Sequence, residues 1–411
     1  MKLETLLPRF LLFSLIGYLA TRNMGTCPII WRKNRFWLLI IIFACAYWGE
    51  YLLQFIPALH HRLTYTNIAA DLGGALAGIV FGLRKGYRTC RCKFMVQEHK
   101  TPHETLIDPA PGPLIQIGHN PVLPAIITKT FGWKEVEIRR SGFRIGFICT
   151  GKGLVSYPHL SYGNIRFKER TSPGEQLSLL KQHLPRLPFS SVEVRFPYPG
   201  TDGPNGKIVS ILDLKTDPWL QFNTNLRRKI RRSQKNGFSA RLGGMELLDD
   251  FYRIYSTHIR SLGSAPLTRR WFQNLIQQYN NDFCGIFLLI REGAIAGAAF
   301  NLAYQGFYEN CYFAVLKPHQ RSYGSYALTH AMIEHARSTG ASTYSFGRST
   351  RNSGVHRFKQ QWAVNEIPLT WLKYPNDKIN LRQHTLLNKI WKTLPIPLRK
   401  PLDHHISKWI Y

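Results

Sequence analysis

The residues best placed to do chemistry in this chain lie between Phe346 and Trp362. Phe346-Gly347-Arg348-Ser349 is followed by His356-Arg357-Phe358-Lys359 and then by Trp362. Arg348 stands directly after a glycine, at the end of the alternating run Tyr344-Ser345-Phe346, so it reads as a cation at a strand terminus. The second basic cluster is set among aromatics. Fixed cations, aromatic walls and a glycine that lets backbone approach a ligand suit a site for an anionic or polar acyl group. Arg348 and Lys359 are expected to hold anionic groups, with Trp362 and Tyr323 as pocket walls and Arg321 and Arg357 as further substrate contacts. His356 is the candidate base, against the ordinary structural role of a lone histidine. No Ser-His-Asp arrangement and no pair of carboxylates stands out.

The elements that must position these residues are bounded by length and composition. A chain of 411 residues holds roughly two or three domains. With 44% hydrophobic residues it has ample core material and is no disordered tail. Its formal charge of +30 predicts attraction to lipid head groups, nucleic acid, nucleotide or a polyanionic glycan, or a solvated surface facing an acidic leaflet. The 7 cysteines are scattered, which suits a reducing compartment. Cys90-Arg91-Cys92 has no second ligand cluster nearby, so no metal is expected.

Residues 1–85 differ from the rest. Residues 36–56 form a nearly unbroken apolar run long enough to span a bilayer. Residues 66–83 form a second, rich in Gly and Ala, which permits close helix packing in lipid. Residues 6–20 form a shorter run, read as a retained helix rather than a signal peptide. The basic clusters Arg32, Lys33, Arg35 and Arg84, Lys85, Arg88, Arg91, Lys93 lie on the cytoplasmic side by the positive-inside rule. A multi-pass anchor in a bacterial inner membrane, with all later residues in the cytoplasm, is the expected arrangement. Residues 86–112 read as a linker, Pro-rich from 101 onward.

Beyond the linker, short apolar runs alternate with turns and helical patterns, which predicts a mixed α+β architecture. Strands are expected at 136–138, 145–148 and 192–194. A meander is expected over 283–291, 294–304 and 306–314, then a helix over 326–338 and a strand over 342–346. Residues 225–236, Asn-Leu-Arg-Arg-Lys-Ile-Arg-Arg-Ser-Gln-Lys-Asn, read as a helix with Leu226 and Ile230 on one face and Gly237 as its stop. Arg227, Arg228, Lys229, Arg231 and Arg232 line the remainder and suit contact with phosphates of RNA or of a lipid-linked pyrophosphate, or a plain solvated face. The tail, 376–411, interleaves Trp391, Trp409 and Tyr411 with Lys and Arg, as an interfacial helix on an anionic leaflet would.

Phe-Gly-Arg-Ser followed by Phe-Lys-x-x-Trp resembles the C-terminal signature of FemAB-like acyltransferases, those encoded with exopolysaccharide and exosortase systems above all. Leu154-Val155-Ser156-Tyr157-Pro158 and Tyr162-Gly163-Asn164 resemble the Leu-x-Ser-x-Pro and Tyr-Gly-Gly stretch of the first half of that family, with Asn164 in place of the second Gly. Ser156 and Tyr162 are carried over as substrate contacts. The resemblance implies tandem GNAT-like domains, here over 113–240 and 241–375. It also implies transfer of an acyl or aminoacyl group from aminoacyl-tRNA or acyl-CoA, with no bound cofactor, to a lipid-linked glycan. Membrane lipids and exopolysaccharide assembly proteins are the implied partners. Glu50, Gln54, Asn67, Asp71, Gly74 and Gly78 resemble the end of a VanZ-like membrane domain, with the usual Asp and Asn exchanged. A CoA-using GNAT enzyme cradles pyrophosphate in a loop ending in a small residue. Here the loop reads Arg321-Ser322-Tyr323-Gly324-Ser325-Tyr326, and the terminal Tyr departs from that pattern. The competing expectation is a non-catalytic GNAT-fold scaffold of an exopolysaccharide assembly complex; a nucleic-acid-binding role ranks third.

Overall fold

The computed structural model describes residues 116–150, 153–168, 171–197, 206–279 and 283–375, together with Asp403. The chain divides into two compact units after Thr101, and everything described belongs to the second. The apolar runs, the VanZ-like stretch, the linker and the rest of the tail lie outside the described residues. Among the described residues no helix is long and apolar enough to cross a membrane.

The described unit is mixed α+β. Helix α1 (Leu123–Phe131) carries Pro124 in its first turn and is closed by Gly132 at φ 68°. Strands β1 (Lys134–Arg140), β2 (Phe143–Cys149), β3 (Leu154–Val155) and β4 (Asn164–Phe167) follow. Helix α2 (Pro173–His183) opens on a reciprocal Ser172–Glu175 capping box with proline in its first turn. Strands β5 (Val192–Pro197) and β6 (Lys207–Asp213) complete the first half.

Next come α3 (Pro218–Gln221), α4 (Thr224–Lys235), β7 (Phe238–Gly243), α5 (Leu248–Ser261) and α6 (Arg269–Gln278). The meander β8 (Cys284–Arg291), β9 (Ala294–Tyr304) and β10 (Phe307–Val315) leads to α7 (Lys317–Gln320), α8 (Gly324–Ser338), β11 (Thr343–Thr350), α9 (Gly354–Gln360) and β12 (Asn365–Tyr374). The strands, meander and helices expected from the apolar patterns are present.

All the described strands join one sheet, ordered β1-β2-β3-β5-β12-β6-β11-β10-β9-β8-β7, with β4 paired to β2. Strand β12 is the seam. Residues Asn365 to Pro368 pair with β6, and Leu369 to Tyr374 pair with β5. Pro368 stands at the last position on β6 and Pro197 opposite Leu369 at the first position on β5. Proline donates no ladder hydrogen bond, so it belongs where a strand changes partner.

One core holds Phe251, Trp271 and Phe272 from α5 and α6 together with Ile126, Tyr157 and Tyr162 from the first half. Another packs Leu226 and Ile230 of α4 and Leu328 and Met332 of α8 with Phe346 and Trp362. A third, under α2, holds Phe147, Leu180 and Phe196.

The turn Tyr162-Gly163-Asn164 is set by space rather than by backbone angle. A Cβ at Gly163 would meet Ser156 Cβ at 2.4 Å and Ser156 C at 2.9 Å, while its N–H donates to Arg195 O at 3.0 Å. Gly163→Ala is therefore expected to destabilise the protein by about 1–3 kcal/mol through overpacking. Denaturant unfolding of the purified chain, followed by tryptophan fluorescence, reads this directly; an unchanged midpoint would show that the turn has room.

Candidate functional site

Strands β10 and β11 run parallel but pair only from Phe307 to Glu309 against Thr343 to Ser345. Past that point β11 continues on β6, where Arg348 to Thr350 pair with Val209 to Lys207 after a register shift. The ladder between the two parallel strands therefore ends at Glu309 and Ser345, leaving a narrow crevice filled by buried side chains. Gly347, at φ 67°, makes the shift in β11. A side chain there would meet Asn310 O at 3.0 Å, so glycine answers both the left-handed backbone and the close approach of β10.

Glu309 sits at the root of the crevice and is only 3% exposed. Three hydroxyls close around its carboxylate. Tyr162 O–H donates to Oε2 in a short contact, Ser345 Oγ donates to Oε2 at 3.2 Å, and Ser161 Oγ donates to Oε1 at 3.2 Å. Burial pushes the Glu309 carboxyl up, and these donors and the Lys359 charge oppose it. Burial, then the Glu309 charge, holds the Tyr162 phenol well above its ordinary range, so it remains a donor.

Tyr162 and Ser161 come from the first half, on the loop between β3 and β4. That loop is turned by Tyr157 and His159, both at positive φ (48° and 72°). Ser156, fully buried, accepts the Arg195 N–H at 2.8 Å and so ties the loop to β5. Ser156 thus acts on the backbone of this loop.

Lys359 reaches the crevice from α9. Its Nζ donates to Gly347 O at 2.7 Å and Arg348 O at 3.0 Å, the two carbonyls that the bulge turns toward it. The lysine is 6% exposed. Burial lowers its pKa to about 7; the Glu309 charge opposes this shift and the Arg348 charge adds to it. The Arg348 guanidinium carbon lies 5.2 Å from the centroid of the Trp371 ring, and that of Arg195 lies 4.3 Å from it.

His356 is committed elsewhere. Its Nδ1 accepts the Asn352 N–H at 2.9 Å, so Nε2 carries the proton, 2.6 Å from Glu366 Oε1. It fastens α9 to β12 and presents no free nitrogen to a substrate. Arg357 and Arg321 are exposed. Trp362 is fully buried among Phe222, Phe346 and Phe358, a core residue rather than an open wall.

A second grouping gathers at the start of α8. Tyr323 occupies the N-cap at φ 68°. A Cβ at Gly324 would meet His319 O at 2.9 Å, which explains the glycine. The Arg232 guanidinium lies 5.6 Å from the Tyr323 ring, and Asn236 Nδ2 donates to Ser322 O at 2.9 Å. Gln361 Oε1 accepts from Tyr326 O–H at 2.9 Å and from Lys229 Nζ at 2.7 Å. Tyr326 stacks on Trp362 at 6.1 Å, and Trp362 lies 6.0 Å from Phe346. A run of rings thus links the first turn of α8 to β11, and the half-buried Tyr326 ring stands where a CoA-binding loop carries a small residue. The other α4 cations lie apart from this knot. Arg227 and Arg231 lie over Trp219, and Arg228 donates to Asn225 Oδ1 at 3.1 Å. Among the described residues no cluster able to hold a metal ion exists.

Residues 221–360, from the end of α3 through α9, match the model of the acetyltransferase (GNAT) domain. The chain carries a GNAT-fold acyltransferase domain, and the crevice between β10 and β11 lies within it. No curated protein matches the chain in sequence. Among solved structures it is similar to FemX, at 12% identity over 67% of this chain and 95% of that one, with a TM-score of 0.48. It is also similar to L-PGS from Bacillus licheniformis, at 14% identity over 68% of this chain and 100% of that one, with a TM-score of 0.41. A third likeness is to the C-terminal domain of a putative lysylphosphatidylglycerol synthetase from Agrobacterium fabrum, at 11% identity, 61% and 86% coverage and a TM-score of 0.40.

Glu309, Ser345 and Ser161 are the residues that sequence reasoning missed. The available signal was an acid inside the apolar strand Phe307-Tyr308-Glu309-Asn310-Cys311-Tyr312, since a buried acid must be partnered.

The depressed Lys359 pKa fixes a pH dependence of stability. From about 7 up to its ordinary 10.5 the unfolded chain holds this proton and the folded chain does not. Stability should therefore rise with pH across that window. Below about 7 both states are protonated and the full cost of burying the cation is present. The stability difference between wild type and Lys359→Met should accordingly shift in favour of wild type as pH rises from 6.5 to 10, measured by urea unfolding at each pH. A pH-independent difference would place the amine's pKa near its ordinary value.

Proposed function

We propose that the protein is a membrane-anchored acyl- or aminoacyltransferase that acts in assembly of a bacterial cell-envelope glycan, peptidoglycan or exopolysaccharide. The observation that carries the catalytic part is the Lys359 amine. It is held by two carbonyls at the crevice, with the Glu309 carboxylate close enough to act on its charge. A neutral amine spends its two N–H donors on Gly347 O and Arg348 O, which leaves its lone pair to accept a proton. A pKa of about 7 is matched to that task at neutral pH.

In this reading an amine or hydroxyl of the acceptor attacks the acyl carbon of the donor. The new C–N or C–O bond forms as the bond to the carrier breaks. The nucleophile's proton passes to Lys359 and then to the departing carrier. Glu309, held by Tyr162, Ser161 and Ser345, stabilises the ammonium formed in between. Arg348 takes an anionic group of donor or acceptor.

The donor favoured here is an aminoacyl-tRNA. The Tyr326 ring at the start of α8, where a CoA-binding loop carries a small residue, speaks against a CoA arm. The glycan acceptor and the exopolysaccharide partners rest on the FemAB-like resemblance. The inner-membrane location, with this domain in the cytoplasm, rests on the apolar runs 36–56 and 66–83 and their basic flanks. A scaffold role is the second reading, favoured by how completely Glu309 is enclosed.

Purified protein would be offered aminoacyl-tRNA and acyl-CoA in parallel with lipid-linked glycans, and the products weighed by mass spectrometry. Wild type is expected to add an aminoacyl mass from tRNA and none from CoA. Lys359→Met and Lys359→Arg should lose roughly 100-fold or more in rate, the usual worth of a general base. The wild-type rate should climb through about pH 7, where Lys359 loses its proton. Glycan binding without transfer from either donor would replace this reading with the scaffold.

A further inference from the structure

The corner between α3 and α4 combines features that the acyl-transfer site does not use. Leu220 is 75% exposed, the most exposed large apolar side chain among the described residues. The corner that presents it is firmly built. Asp217 accepts the Trp219 N–H at 3.0 Å and pairs with Arg337 at 3.2 Å. Phe222 is buried edge-on against Trp362 at 5.5 Å, and Arg227 donates to Leu220 O at 3.2 Å. Leu220 is thus held outward by fixed neighbours on both sides.

Beside it runs the cationic face of α4. Leu226, Ile230 and Ser233 turn inward, which leaves Arg228, Arg231, Arg232 and Lys235 exposed. Among the described residues no carboxylate forms an ion pair with a cation of this helix. Lys229 spends its charge on the neutral oxygen of Gln361. Trp219, half-buried, lies under the Arg227 and Arg231 guanidiniums at 5.8 and 5.7 Å and against His330 at 5.8 Å.

We infer that this corner docks the domain on an anionic lipid surface, with Leu220 entering the head-group boundary and the α4 arginines meeting lipid phosphates. An outward aliphatic side chain beside an indole and a row of guanidiniums is the composition of an interfacial element. A single-stranded RNA platform would instead offer open aromatic faces for bases, and the Trp219 ring is already flanked by two guanidiniums and an imidazole. Leu220 has nothing to offer a phosphate backbone. The inference rests on reading the chain as working at a membrane, but not on Lys359 or on any transfer reaction.

The test uses the full chain in nanodiscs of phosphatidylcholine alone or mixed with phosphatidylglycerol. Hydroxyl-radical footprinting with mass-spectrometric readout reports oxidation of Leu220 itself. Oxidation is expected to fall several-fold in the anionic discs and to return in an Arg228→Glu/Arg231→Glu variant, whose altered residues are exposed and outside the core. Equal oxidation in both disc types would overturn the proposal. Protection that needs added tRNA, in neutral discs, would overturn it in favour of RNA. Either result leaves the transfer assay to judge the catalytic reading on its own.

Discussion

A carboxylate as enclosed as Glu309 survives only if its oxygens are answered from every side, because burying an unpaired charge costs far more than a small domain can spare. Here the answer comes from two directions. Ser345 lies on the adjacent parallel strand, while Ser161 and Tyr162 arrive on a loop from the other half of the unit. Much else follows from this requirement. The loop must reach across, so it is bent at Tyr157 and His159 and tied back through Ser156 and Gly163 to Arg195. Without the first half the acid of the second half would keep only the Ser345 hydroxyl of its three donors. Rings from both halves accordingly share one core around Tyr162, Phe251 and Trp271.

The second constraint is geometric. Two parallel strands that part company leave backbone groups that must find other partners. Strand β11 stays on β6 along its other edge and shifts register at Gly347. The same shift turns the Gly347 and Arg348 carbonyls toward α9, where Lys359 satisfies both. Opening the crevice and seating the lysine are therefore one event. The lysine carries a cost for its burial, and its depressed pKa expresses that cost.

Much of this was legible in the sequence because it is local. The meander from β8 to β10 and the helix α8 follow apolar periods, and the basic helix α4 follows its caps and its Leu226–Ile230 face. What escaped is what depends on distant partners. Glu309 meets hydroxyls 147, 148 and 36 residues away, so no spacing rule reveals it. Trp362 reads as a pocket wall beside a basic cluster, yet Phe222, far back in the chain, encloses it. Strand β12 changes partner at Pro368, which breaks the alternation that would announce a single strand. His356, expected as the candidate base, is instead taken up by Glu366, although that partner stands only 10 residues on.

The knot at the start of α8 shows how one side chain, Tyr326, is tied into the packing around a helix start. The first turn of a helix offers free N–H groups whatever its sequence. What decides whether a ligand reaches them is the residue that lines the approach. Tyr326 does not merely occupy space there. Its hydroxyl and the Lys229 ammonium share one acceptor on Gln361, and its ring leans on the buried Trp362. Removing the ring would strip Trp362 of a stacking partner and leave the Gln361 oxygen with Lys229 alone, so this knot ties α4 and α8 to the end of α9. Lys229 is thereby drawn into the fold, while Arg228, Arg231, Arg232 and Lys235 stay exposed for an outside partner.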